Sequence, residues 1–355
     1  MDVEALRASL AQFREAFPRC EIFYALKANS APSVVAMLAE LGCGFEAASW
    51  GEIALLVGLG VGPERIIYGT AVKPPLEVAR AFSCGVDRYA ADSREELVML
   101  SVTAPGSRVF LRVTADDSGS VYRLNRKFGA AHHDAAPLLL LARDLGLVPW
   151  GLSFNVGSQA SRKTAWAESL AALSPILASL QEHEIKLGII NIGGGFPEAY
   201  AGDEPWSLEE IAAPLFAAHA RLPYRLDLVI EPGRRLVARS TALIATVFAR
   251  IERENGPWLF LDCGVYNALF EALRCQGHTK YEVSRVGASS APLLRFALAG
   301  PTGDSLDVLS EASELPADTN VGDRLRFECA GAYTLALASS FNGFAPPPVR
   351  MMGQG

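Results

Sequence analysis

Lys27 sits near the end of the run FYALKAN, residues 23–29, an otherwise apolar stretch that reads as a buried strand with an amine at its carboxyl end. An ammonium there either reaches solvent along its stem or serves as a nucleophile toward a carbonyl carbon. Other groups with chemical capacity recur at the ends of strand-like runs: Glu46, Asp92, Arg112, Asn155 with Ser158, the triplet Gly193, Gly194 and Gly195, and Glu231. Each alone has a plain reading. A glycine triplet makes a turn, a glutamate before Pro-Gly ends a strand, and Asp92 ahead of Ser93 caps a helix. Their shared location calls for a common scaffold.

That scaffold is written as a short strand and helix rhythm. Strand-like runs fall at 22–27, 45–48, 66–70, 88–92, 108–113, 150–156, 187–193 and 226–231. Between them lie amphipathic helices at 31–41, 51–59, 75–84, 93–101, 134–146, 163–182 and 207–220, preceded by a helix whose apolar face is Val3, Leu6, Leu10, Phe13 and Phe17. Alternating strands and helices imply an α/β protein with a parallel sheet, and eight units close a (β/α)8 TIM barrel whose active site lies at the carboxyl ends of the strands. After about residue 240 the rhythm gives way to alternating apolar runs separated by Gly and Pro, a mainly β pattern. The expected division is a barrel over 1–240 and a C-terminal β domain over 241–355.

The 355 residues are half hydrophobic, enough for a full enzyme core and a smaller second domain. A net charge of −7 without long blocks of one sign gives no nucleic-acid footprint and no polybasic membrane patch, so the expected partner is a small molecule. Six cysteines without CxxC pairs, no signal-like amino terminus and no long uninterrupted apolar run lead to the expectation of a soluble, cytoplasmic protein with reduced thiols.

An amine nucleophile on a barrel strand suits Schiff-base chemistry, which pyridoxal phosphate exploits. That group also needs a phosphate cradle, for which the glycines 193–195 offer bare amides, and an acid to keep its ring nitrogen protonated, for which Glu231 is placed. Arg234, Ser158 and Tyr333 are further polar contacts.

The ordered motifs FYALKAN, GFEAASWGE, RIIYGTAVK, LRV, KFG, GLSFNVGSQ, NIGGGFP, IEPGR, GPTGDSLD, GAYT and FNGF closely resemble the pyridoxal-phosphate-dependent decarboxylases of the alanine-racemase-like fold, above all the ornithine, lysine and diaminopimelate enzymes. The likeness spans nearly the whole chain. It implies that Lys27 is the Schiff-base lysine and Glu231 the partner of the pyridine nitrogen. Ser158, Gly193, Gly194, Gly195, Arg234 and Tyr333 would hold the phosphate, and Arg112, Glu46 and Glu52 would line the pocket as acids and bases. The resemblance also implies a head-to-tail homodimer in which Gly303 and Asp304 complete the opposite protomer's site. Asp304 would meet the distal amine of a basic amino acid; Glu271, near the place of a second distal acid, reads as a residue on a solvated helix face.

Four departures from that pattern bear on chemistry. The family's FHVGS is FNVGS, so Asn155 replaces the imidazole that stacks on the cofactor. GPTCDS becomes GPTGDS, so Gly303 replaces the thiol that helps protonate the substrate carbon, leaving Cys275, His278 or water as substitutes. DIGGGFP becomes NIGGGFP, which removes a charge at Asn191, and a strand expected before the first helix is missing. Three outcomes follow: α-decarboxylation of an amino acid, decarboxylation ending in transamination, or a non-catalytic binding protein like the family's inactive relatives.

Overall fold

The computed structural model describes residues 1–202, 204–274 and 281–352. The chain divides into two compact units. One comprises residues 11–197 and 205–233, the other residues 1–10, 198–204 and 234–355.

The first unit is a closed barrel of eight parallel strands: β1 (Cys20–Ala25), β2 (Gly44–Ala47), β3 (Ile66–Tyr68), β4 (Arg88–Ala91), β5 (Arg108–Arg112), β6 (Val148–Ser153), β7 (Ile189–Asn191) and β8 (Asp227–Ile230). Neighbours in sequence are neighbours in the sheet, and β8 closes onto β1 with Cys20 opposite Leu228. All eight expected strands are present. Because a strand alternates its faces, positions two apart share one face. Phe23, Ile67, Ala90, Phe110, Ile189 and Val229 form one buried apolar cluster with Trp150 packed against it. Room for it is made by Gly44 and Gly151, where a Cβ would lie 2.7 Å from the Phe23 ring and 2.5 Å from the Ile189 side chain.

Two residues beyond these positions, on the same face, come Gly69, Asp92, Arg112, Asn191 and Glu231. Glu46 stands two residues beyond Gly44. An apolar floor is thus followed, one side-chain layer further along the strands, by a polar one.

Helix ends explain several boundaries. Ser49 caps the helix Trp50–Gly58 by accepting from the Glu52 amide, while Glu52 reaches back to the Ala48 amide at 2.6 Å. Ser207 and Glu210 form a reciprocal capping box on the helix Leu208–His219. The single helix expected over 163–182 is instead two, Ala165–Ala171 and Ser174–Glu182, the second with Pro175 in its first turn, where the missing N–H costs nothing. A two-stranded ribbon, Ser120–Tyr122 against Ser158–Ala160, lies outside the barrel sheet and went unrecognised in the sequence pattern.

The second unit is built on a six-stranded sheet. Its strands are β9 (Leu243–Arg253), β10 (Gly256–Leu261), β11 (Val283–Arg285), β12 (Leu293–Ala299), β13 (Val308–Pro316) and β14 (Arg324–Phe327), in the order β11-β14-β9-β10-β12-β13. All its pairings are antiparallel except β10 with β12. Among the described residues no helix is long and apolar enough to cross a membrane.

Candidate active site

Lys27 does not end a strand. β1 stops at Ala25, and Lys27 lies in the one-turn 3-10 helix Leu26–Ala28, an irregularity the apolar run conceals. The turn delivers the amine to Glu46: Nζ donates to Oε2 at 2.7 Å, with the lysine side chain 47% exposed and the carboxylate 3%. Gly69 makes that placement possible, since a Cβ there would collide with the Glu46 carboxyl group. Lys27 is therefore an accessible amine held against a buried acid.

Glu231 follows β8 and accepts a hydrogen bond from Asn191 Nδ2 at 2.6 Å. Its carboxyl is pushed up to about 7, first by burial and then by the negative charge of Glu46; Lys27, Asn191 and Arg112 act the other way. Arg112 lies over the Phe128 ring at 5.3 Å, and its Nε is buried without a hydrogen-bond partner among the described residues. Burial lowers its proton affinity, while Glu231, Glu46 and Asp92 raise it.

The glycine triplet lies between these groups in sequence. Gly193 and Gly195 take φ of 68° and 93°, in the left-handed region that a side chain disfavours. A Cβ on Gly193 would lie 2.6 Å from the Phe154 carbonyl, one on Gly194 2.5 Å from the Glu231 carbonyl, and one on Gly195 would strike the Gly157 carbonyl. The Gly193 amide is committed to Asn191 Oδ1 at 2.9 Å. From outside, Trp166 Nε1 donates to the Gly194 carbonyl at 3.1 Å while its ring stacks on Phe196 at 5.0 Å. The loop has the bare backbone that a phosphate requires, and an accessible amine and two carboxylates stand in the same unit, so the residues fit pyridoxal phosphate.

One expectation in this unit needs correction, and two further residues take places the sequence did not specify. Asp92 is no helix cap: Ser93 fills that place, accepting from the Glu96 amide, and Asp92 Oδ2 accepts instead from the Gly129 amide at 2.9 Å. Asn155 Oδ1 accepts from the Gly157 amide at 2.9 Å, so its side chain shapes its own loop. Ser158 opens the outer ribbon, opposite Tyr122.

Arg234, Tyr333, Gly303 and Asp304 belong to the second unit. Arg234 is buried, and its guanidinium pairs with Glu271 at 2.8 Å through Nη2, donates to the Tyr200 hydroxyl at 3.0 Å and lies 4.7 Å from the Tyr333 ring centre. Glu271 is only 1% exposed, so the expectation of a solvated helix face is wrong. Its apolar neighbours in sequence gave no sign of an arginine 37 residues away. Asp304 accepts from the Leu306 amide at 2.9 Å and the Tyr266 hydroxyl at 2.7 Å, which together hold its carboxyl below the usual range. Buried Asp307 organises the loop by accepting from the amides of Val265 and Thr302. Gly303 has space: among the described residues a Cβ there meets only Asn342 Oδ1, at 3.7 Å. Cys275 and His278 lie outside the described residues.

Residues 3–238 match the family model of the pyridoxal-dependent decarboxylase pyridoxal binding domain. Among curated proteins, the chain is 35% identical over 353 residues to antizyme inhibitor 2 of Xenopus laevis, covering 95% of this chain and 77% of that one. It is 34% identical over 353 residues to ornithine decarboxylase of Schizosaccharomyces pombe, covering 97% and 80%. Among solved structures, lysine decarboxylase from Selenomonas ruminantium superposes with a TM-score of 0.92 at 30% identity, covering 100% of this chain and 92% of that one. The chain, with its barrel, accessible lysine and glycine loop, belongs to the pyridoxal-phosphate-dependent ornithine/lysine decarboxylase family.

Proposed function

We propose that this protein uses pyridoxal phosphate to remove the α-carboxylate of a basic amino acid, giving an amine and carbon dioxide. The observation that carries this reading is the Lys27 ammonium held 2.7 Å from a buried Glu46 carboxylate, an amine with its proton acceptor beside it. When bound, pyridoxal phosphate supplies an aldehyde for an amine to attack and a cationic ring that takes up the electron pair left as carbon dioxide departs. Glu46 accepts the proton that Lys27 must lose to become a nucleophile. Gly194 and Gly195 present backbone amides to the phosphate, and Glu231 holds a proton on the ring nitrogen. Arg234 and Tyr333 are assigned to the phosphate as well, with Glu271 fixing the guanidinium. The basic substrate is argued from Asp304, an ionised carboxylate suited to a distal ammonium, and it accords with the ornithine and lysine named for the relatives. Asp304 and Gly303 are assigned to the partner protomer's site in a head-to-tail homodimer of cytoplasmic protein.

The test is to load the purified protein with pyridoxal phosphate, offer a panel of amino acids and measure carbon dioxide and amine together. Equal amounts from ornithine or lysine bear the reading out; no carbon dioxide from any amino acid overturns it.

A second reading has one observation in its favour: position 303 carries no proton donor although a side chain fits there. It ends in a carbonyl product in place of an amine. Under this reading Gly303→Cys raises the amine yield per carbon dioxide released, and an unchanged yield removes Gly303 from the reprotonation step. The likeness to an antizyme inhibitor favours a third, a binding protein, which uptake of pyridoxal phosphate with turnover excludes.

A further inference from the structure

Asn191 ends β7 and is 1% exposed. Its side chain bridges two parts of the site: Oδ1 accepts from the Gly193 amide at 2.9 Å and Nδ2 donates to Glu231 Oε1 at 2.6 Å. The orientation is forced, because a backbone N–H can only donate. Turned over, the amide would set its NH2 group against the Gly193 N–H and its oxygen against a carboxylate. A third bond, from the Glu231 amide to the Gly193 carbonyl at 2.9 Å, closes the ring.

An aspartate of the same shape would still satisfy Gly193. Its second oxygen, however, would stand where Nδ2 stands, 2.6 Å from Glu231 Oε1, and two carboxylate oxygens that close need a proton between them. The identity of residue 191 thus decides whether Glu231 is a sole acceptor or half of a proton-sharing pair.

We propose that Asn191 is a positioning residue, whose amide, locked by Gly193, holds Glu231 as an unshared carboxylate available to a cationic ring nitrogen. The inference rests on the reading of Glu231 as the partner of that nitrogen. The other charged groups acting on Glu231 are Glu46 from β2, Lys27 from the turn after β1 and Arg112 from β5, whereas the amide of Asn191 is the group bonded to both Glu231 and Gly193.

The experiment is an infrared pH titration of carboxyl groups in the full-length protein, with and without pyridoxal phosphate, comparing the parent, Asn191→Asp, Glu231→Gln and the double variant. In Asn191→Asp a protonated carboxyl persists to at least about one pH unit above the parent's, tenfold in proton affinity. In the double variant that signal is lost, since the amide introduced by Glu231→Gln now donates to the ionised carboxylate introduced by Asn191→Asp. A titration in Asn191→Asp that coincides with the parent's, or a signal that survives in the double variant, overturns the proposal. Should Asn191→Asp fail to fold, recovery of folded protein in the double variant supports the same pairing, and failure of both overturns it. Absence of carbon dioxide release by the parent strikes the decarboxylase reading and leaves these titrations as they are.

Discussion

At the scale of single residues, the site is a small set of charges whose protonation is set by neighbours a few ångströms away. Lys27 and Glu46 neutralise each other at 2.7 Å, whereas Glu231 carries the cost of burial and of a second carboxylate in the same unit. In Lys27→Ala we expect the visible absorbance of bound pyridoxal phosphate to be lost, read by spectrophotometry before and after dialysis; an unchanged band would put the covalent link on another lysine. Glu231 gives a pH signature in the cofactor-free protein. Its carboxyl is raised from 4.5 to about 7 on folding, so the folded state binds more protons between those values. Its stabilising contribution is complete below pH 4.5 and is lost as pH rises through 7. Glu231→Gln should flatten that part of the stability profile, by at most about 3 kcal/mol at pH 8, measured by denaturant titration across the range. Departures from the family pattern at Asn155 and Asn191 share one property: both put a non-titrating amide where the resemblance leads one to expect a titrating group.

Elements decide where these residues stand. The alternation of eight strand-like runs with amphipathic helices made the barrel legible, and within its strands the period-two rule sets Arg112, Asn191 and Glu231 two residues beyond the buried Phe110, Ile189 and Val229. The same rule could have singled out Asn191 beside Glu231. It fails where a strand ends early: the apolar run through Leu26 continues the pattern of β1 while the backbone has already turned into a 3-10 helix. Long-range pairs such as Arg234 with Glu271, or Asp304 with Tyr266, leave no periodic trace and were not legible as contacts. The glycine loop depends on a residue outside it, since Trp166 holds the Gly194 carbonyl and so fixes which way the neighbouring amides face. Trp166→Phe keeps the aromatic packing and removes that bond. We expect pyridoxal phosphate to bind about 5–10-fold more weakly, consistent with the loss of about 1 kcal/mol for one hydrogen bond. Equilibrium dialysis checks this; unchanged affinity would show that the loop holds its shape alone.

For the whole molecule, the decisive question is whether one chain suffices. The amine, Glu46 and Glu231 come from the barrel, whereas Gly303 and Asp304 lie on a loop of the second unit that Asp307 and Tyr266 hold in place. If two protomers share their sites, Lys27→Ala and Asp304→Ala, each nearly inactive, restore activity when mixed. Random assortment makes half of the dimers mixed, each with one intact site, so about one quarter of parental activity returns. No recovery after co-refolding would mean that each chain supplies its own site.

Position 303 carries a wider consequence. Its loop is anchored by Asp307 through the Val265 and Thr302 amides and by Asn342 on the Gly303 amide, bonds that need no side chain at 303, and among the described residues a Cβ finds its nearest neighbour at 3.7 Å. A small side chain at this position is therefore accommodated within its own chain. Exchange of the glycine for a small side chain is expected to change the stability of the fold by no more than about 0.5 kcal/mol, so this position is open to substitution without loss of the scaffold.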